Sequence, residues 1–293
     1  MKQQQLFENV IEPQKPVNVA SVPQRSVFRY PGGKTWLIPM IRKWLNSFDH
    51  SKSIFVEPFL GGGIVSLTVA FEELAKKVIA CELDDEIAAV WQVLLSEENQ
   101  ALAKKIQGFD MNIQDLKAEL AKPAEPILQK AFQTILKNRT YHGGILARGS
   151  GLLKHGEAGK GIKSRWYPET LAKRILDISS ISKKINFVEG DAFALIRKHL
   201  NKDNVIFFID PPYTASTKKA GNRLYTHFEL DHTYLFSLMR RSSGKFLMTY
   251  DDDIKVLELA KQYGMQTKRI PMKNTHHNEM FELLISNDLS WCR

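Results

Sequence analysis

Cysteine is scarce in this chain of 293 residues. Cys81 and Cys292 alone cannot supply a disulfide framework for a protein of this size, so a reducing compartment is expected. Long apolar runs are missing too. None approaches the roughly 20 residues of a membrane-spanning helix, and residues 1–10 hold no apolar stretch of the signal-peptide kind. A cytoplasmic location and no membrane partner are the expectation. No closely spaced His/Cys set suggests a metal site, and His276-His277 reads as a solvated turn. A clean G-x-G-x-x-G is also absent, which argues against NAD. Acids are outnumbered, 32 Asp and Glu against 41 Lys and Arg, for a net charge of +9. What is present is ordinary globular composition, 43% hydrophobic and 25% charged, which excludes a wholly disordered or collagen-like chain.

The excess positive charge is concentrated. Residues 137–184 carry 11 Lys and Arg against three acids, nearly all of the net charge. A basic balance favours polyanions, nucleic acid first. Lys137, Arg139, Arg148, Lys154, Lys160, Lys163 and Arg165 are the candidate phosphate contacts. Arg139 or Arg148 could read guanine, and Tyr141 could wedge into a base stack.

Periodicity organises the rest. Residues 1–25 are polar and proline-containing and read as a disordered tail. Residues 53–57 and 77–82 read as strands joined by a glycine-rich turn and a helix over 64–75, a β-loop-α-β unit that calls for a parallel sheet. A long helical stretch follows over 86–137, broken near Pro123. Residues 137–165 hold seven of the 17 glycines and read as loop and hairpin. Strand and helix alternate again: strands at 186–189, 204–210 and 245–249, helices at 230–241 and 254–263, and closing strands at 266–271 and 279–286. The continuous apolar run of 204–210 fits burial on both faces. The fold class is α/β. Residues 26–96 with 185–293 form an open sheet with helices on both faces, and 97–184 an inserted, mostly helical, basic subdomain.

Two constellations carry chemistry. In Glu57-Pro58-Phe59-Leu60-Gly61-Gly62-Gly63, glycines between strand and helix let a ligand lie against bare backbone. An acid about 20 positions on, at the end of the next strand, suits a ribose diol; Glu82 stands there, with Asp84 close behind. In Asp210-Pro211-Pro212-Tyr213, two prolines stiffen the backbone and remove both N–H donors. The Asp210 carboxylate and the Pro211 carbonyl become two acceptors for one amino group, and Tyr213 offers a flat face. Together they describe a clamp for a planar ring bearing an exocyclic NH2.

These motifs, with Arg29-Tyr30-Pro31-Gly32-Gly33-Lys34 before them and Asn138-Arg139-Thr140-Tyr141-His142-Gly143-Gly144 and Trp166-Tyr167-Pro168-Glu169 between them, resemble the Dam-like (D12 class) adenine-N6 DNA methyltransferases in content and in order. His142 stands where that family has Asn. The resemblance spans residues 28–287. It implies a Rossmann-like sheet with an inserted target-recognition region, S-adenosylmethionine as methyl donor, and double-stranded DNA as substrate. It places Tyr30, Lys34, Glu57, Phe59, Gly61, Glu82 (or Asp84), Asp191, Phe193 and Asp210 at the donor, and Asp210, Pro211, Pro212 and Tyr213 at the flipped adenine. Residues 214–227 would form a lid that orders on DNA. A cognate restriction endonuclease is a candidate partner. Transfer to RNA adenine or cytosine N4, and a non-catalytic DNA-binding role, are the competing readings.

Overall fold

A computed structural model describes residues 19–30, 32–147, 149–156, 159–212, 230–273 and 279–292. Tyr213, Arg148, the expected lid, His276-His277 and residues 1–18 of the expected tail lie outside them.

The first half of the sheet is built from β1 (Ile54–Glu57) and β2 (Lys77–Glu82), joined by helix α2 (Ile64–Phe71). The stretch expected as one interrupted helix is four: α3 (Asp85–Leu94), α4 (Asn99–Gln107), α5 (Ile113–Leu120) and α6 (Ile127–Thr140). The breaks have local causes. The Asn112 side chain caps α5, and Pro123 and Pro126 lack the N–H that a continuing helix needs. Helix α7 (Pro168–Ser180) starts with proline at its first position, where the missing N–H costs nothing. Then come β3 (Ile185–Glu189), α8 (Ala192–His199), β4 (Val205–Ile209), α9 (His232–Arg240), β5 (Lys245–Asp251), α10 (Ile254–Gln262), β6 (Gln266–Lys273) and β7 (Glu279–Ser286). A further helix, α1 (Ile38–Leu45), precedes β1.

Seven strands among the described residues form one sheet in the order β3-β2-β1-β4-β5-β7-β6. The first five pair in parallel; β7 runs antiparallel between β5 and β6. Period-2 alternation divides the side chains between two apolar layers. Phe55, Ile206, Phe208, Leu247 and Leu284 join the layer that includes α1, α2, α3, α6 and α7. Val56, Phe207, Ile209, Met248 and Leu283 join the layer of α8, α9 and α10. Every residue of β4 is buried, as its uninterrupted apolar run requires. Helices therefore cover both faces, the expected α/β architecture. Leu102, Ile106, Phe132 and Ile175 of the basic insert share one cluster with Phe55 of the sheet.

The expected tail needs a correction at its end. Residues 19–21 form a short helical turn, Val22 is buried in the core, and Arg25 pairs with Glu72 at 2.9 Å. Apolar Val22 supplies a core contact that the polar average of the segment conceals.

The strand order reverses between β1 and β4. Chain leaving β1 goes to one side of the sheet and chain leaving β4 to the other, which opens a crevice at their carboxyl ends. Glu57 ends β1, and Asp210 follows the last residue of β4.

Candidate active site

That crevice is a cavity of about 1100 Å³, lined from the glycine turn, from Phe28 to Tyr30 and Gly32 to Trp36, from the ends of β2 and β4, and from Asp191 to Phe193. Tyr30, Lys34, Glu57, Phe59, Gly61, Glu82, Asp84, Asp191, Phe193, Asp210, Pro211 and Pro212 all line it. The topology thus gathers candidates drawn from five separate stretches of sequence.

The glycine turn is shaped by its neighbours. Gly61 and Gly63 have positive φ, 46° and 63°, a region that L side chains rarely adopt. A Cβ on Gly61 would stand 2.6 Å from the Tyr30 ring, and one on Gly63 would stand 2.4 Å from Trp91. Tyr30 therefore rests on the turn from above, and Trp91 braces it from below, donating from Nε1 to the Gly61 carbonyl at 2.9 Å. Trp91 was not among the sequence candidates. Its apolar position in α3 gave no signal beyond core packing.

Two carboxylates secure the turn. Glu57 accepts the Ser66 N–H in the first turn of α2 at 2.9 Å. It does the work of a cap, because Gly63 at the N-cap position has no side chain. Burial pushes its carboxyl up to about 8, against the hydrogen bond from Ser66. Glu82 accepts three main-chain N–H groups, from Gly61 at 2.8 Å, Leu83 at 2.8 Å and Asp84 at 2.9 Å. Burial pushes it up to about 7. Asp84 accepts from Glu86 and Ile87 and caps α3. Of the two acids considered for a ribose, Glu82 is the one that stands at the strand end and contacts the turn. Asp191 caps α8 through the Phe193 and Ala194 N–H groups, and the Phe193 ring lies 5.2 Å from Tyr234.

Asp210 sits across the cavity. Its Oδ1 accepts from Thr249 Oγ1 at 2.7 Å and lies 3.0 Å from Lys34 Nζ. Lys34 is buried, 2% exposed. Its ammonium also donates to the Gly32 carbonyl at 2.8 Å and lies 3.5 Å from Glu282. Burial opposes its charge, but Asp210 and Glu282 outweigh that and raise it above the ordinary lysine range. Burial pushes Glu282 up to about 7, with Lys34 acting in the opposite direction. Thr249 and Glu282 were not among the sequence candidates either. Among the described residues, no group of three or more His, Cys, Asp and Glu could hold a metal ion, and no helix is long and apolar enough to cross a membrane.

The basic insert divides. Arg139 is corrected: it is no surface contact but 5% exposed, and its guanidinium donates to the Val27 carbonyl. The last turn of α6 packs under residues 26–30, where Asn138 accepts the Arg29 N–H at 2.9 Å and donates to its carbonyl at 2.9 Å. Burial and the nearby Arg174, Arg29 and Arg165 lower Arg139 to about 9. Lys137 pairs with Glu86. Tyr141, half-buried, ends α6 and bridges to Leu152. Lys154 is exposed and Arg165 half-buried.

Comparison with known proteins identifies the family. A model of the D12 class N6 adenine-specific DNA methyltransferases matches residues 30–141 and 152–277. A type II methyltransferase, M.MjaIII of Methanocaldococcus jannaschii, is 20% identical over 270 residues, 86% of this chain and 85% of that one. Among solved structures, the rRNA methyltransferase aviRa from Streptomyces viridochromogenes aligns over 88% of this chain and 86% of its own, with 13% identity and a TM-score of 0.41. A precorrin-6y C5,15-methyltransferase from Geobacter metallireducens aligns over 87% and 88%, with 10% identity and a TM-score of 0.33. The family match covers most of the chain, and its ends enclose both the lysine-bearing turn and the Asp-Pro-Pro motif: the protein belongs to the D12 class N6 adenine-specific DNA methyltransferases.

Proposed function

We propose that the cavity takes S-adenosylmethionine on its glycine-turn side and a flipped-out adenine against Asp210 and Pro211. The single observation that carries this reading is the meeting of the two motifs in one cavity of about 1100 Å³, at the top of the range for small-molecule sites. The donor set suits a nucleoside. Glu82 offers a carboxylate at the strand end, Asp191 a second one, and Leu83, Phe59 and Phe193 apolar surface. When bound there, S-adenosylmethionine supplies an electrophilic methyl group whose leaving group is a neutral thioether.

The chain's own residues then act on the amine. The lone pair of adenine N6 is delocalised into the ring and is a poor nucleophile. Hydrogen bonds from its two protons to Asp210 and the Pro211 carbonyl favour a pyramidal nitrogen with that lone pair released. Asp210 is also placed to take the proton the amine sheds after transfer. Fixing the amine in line contributes by proximity and orientation. A duplex hides N6 in its stack, so the base must be everted at a cost of about a few kcal/mol. Tyr213 would recover part of that by stacking.

Lys154 and Arg165 support the DNA reading of the insert, as does the concentration of charge there.

The test is methyl transfer from labelled donor to duplex DNA, with nucleoside analysis of the product. N6-methyladenine is expected. Asp210→Ala should lower the rate about 100- to 1,000-fold while DNA and donor still bind. An active Asp210→Ala enzyme would mean the clamp is misassigned.

A further inference from the structure

A carboxylate can turn about its last bond and exchange its two oxygens. Whatever fixes that rotation decides which oxygen a substrate meets. At Asp210 two donors converge on the same oxygen, Oδ1: Thr249 Oγ1 at 2.7 Å and Lys34 Nζ at 3.0 Å. They come from unrelated parts of the chain, Thr249 from the middle of β5 and Lys34 from the turn that begins at residue 34. Both are buried, Thr249 at 0% and Lys34 at 2% exposure. The ammonium donates to Gly32 O and lies 3.0 Å from Asp210 Oδ1 and 3.5 Å from Glu282 Oε2. Glu282 reaches this place because β7 is slotted antiparallel against β5, in a register that sets Glu282 opposite Asp251, two residues beyond Thr249.

We propose that Thr249 and Glu282 are positioning residues for the methyl transfer: Thr249 bonds Oδ1 of Asp210 directly, and Glu282 holds the Lys34 ammonium against that same oxygen, which fixes the rotation in which the carboxylate meets the target amine. This rests on the reading of Asp210 given above. Lys34 then serves the amine side of the cavity as an orienting charge on Asp210. Neither Thr249 nor Glu282 touches the reacting atoms. Their effect is confined to how often Asp210 stands in the productive rotation, and so to kcat.

Steady-state and single-turnover methylation of duplex DNA would test this. Thr249→Val keeps the shape and removes the hydroxyl. It should lower kcat about 10- to 100-fold, the worth of one hydrogen bond to a charged group, while KM for donor and for DNA stays within about threefold of wild type. Thr249→Ser, which restores the hydroxyl, should recover most of the rate. Glu282→Ala should likewise lower kcat, and Glu282→Gln, which keeps an acceptor oxygen for Lys34, should recover most of it. Should Thr249→Val fail to fold, the Glu282 pair carries the same comparison. Asp210→Ala run beside them separates the two claims. Full activity in Asp210→Ala would overturn the reading of Asp210. An inactive Asp210→Ala together with wild-type kcat in Thr249→Val would overturn the positioning role alone. So would losses that serine or glutamine does not rescue, or that fall on KM as heavily as on kcat, since a merely structural role produces those.

Discussion

The two sides of the cavity fasten their carboxylates by different means. On the glycine-turn side, Glu57 and Glu82 are held by main-chain N–H groups of the turn, of α2 and of the residues just after β2. On the opposite side, Asp210 is held by the side chains of Thr249 and Lys34. A main-chain anchor persists when the side chain at that position is exchanged and fails when the backbone path changes. A side-chain anchor behaves the other way round. The glycine-turn side should therefore be rigid and tolerate exchange of the side chains at the residues that donate these N–H groups, but not of its glycines or of the two carboxylates. The Asp210 side should respond to single deletions as graded losses of rate.

The sharpest way to break this contrast is Gly63→Ala. The new methyl would enforce a left-handed backbone at φ 63° and press on Trp91, which is itself buried and bonded to Gly61. A non-glycine residue there costs about 1–2 kcal/mol, and overpacking about 1–3 kcal/mol more. A fall of about 2–5 kcal/mol in unfolding free energy, read from denaturant midpoints, is expected. A variant as stable as wild type would show that the turn can yield.

Glu57 gives the next largest effect, through pH. Its carboxyl is held up to about 8 in the folded protein, against an ordinary value near 4.5 when unfolded. Between these values the folded state binds the extra proton, so stability must fall as pH rises through the window and level off above it. Glu57→Gln removes that dependence. The variant should match wild type near pH 5 and exceed it by on the order of a few kcal/mol at pH 8. Some slope should remain, since Glu82 and Glu282 are also pushed up, each to about 7. Parallel stability-against-pH curves for variant and wild type would contradict the buried, protonated state.

The smallest effect separates Asp84 from Glu82. Asp84→Ala removes the cap of α3 and should cost about 1 kcal/mol of stability. Donor affinity, measured by calorimetry, should drop less than in Glu82→Ala. The reverse order would move the ribose acid to Asp84.

Much of this arrangement was legible in the sequence, for a physical reason. The glycine turn and the all-apolar run of β4 are local: a few neighbouring residues dictate their conformation. Strand-turn-helix order then fixes where the sheet reverses, and with it the meeting of Glu57 and Asp210. Asp84 entered only as a second candidate for the ribose; its capping of α3 came from the structure. Thr249, Glu282 and Trp91 are different. Each acts on a partner distant in sequence, and each looks like an ordinary strand or helix residue. Arg139 misled because its charge suggests solvent; its burial is decided by residues 26–30 crossing over the end of α6.

The slotting of β7 between β5 and β6 bears on how the enzyme comes alive. A ribosome-bound chain that has emerged only through β5 already displays both signature motifs, yet it lacks the strand that brings Glu282 to Lys34. Catalytic competence would then arrive late in biogenesis, when the hairpin zips in.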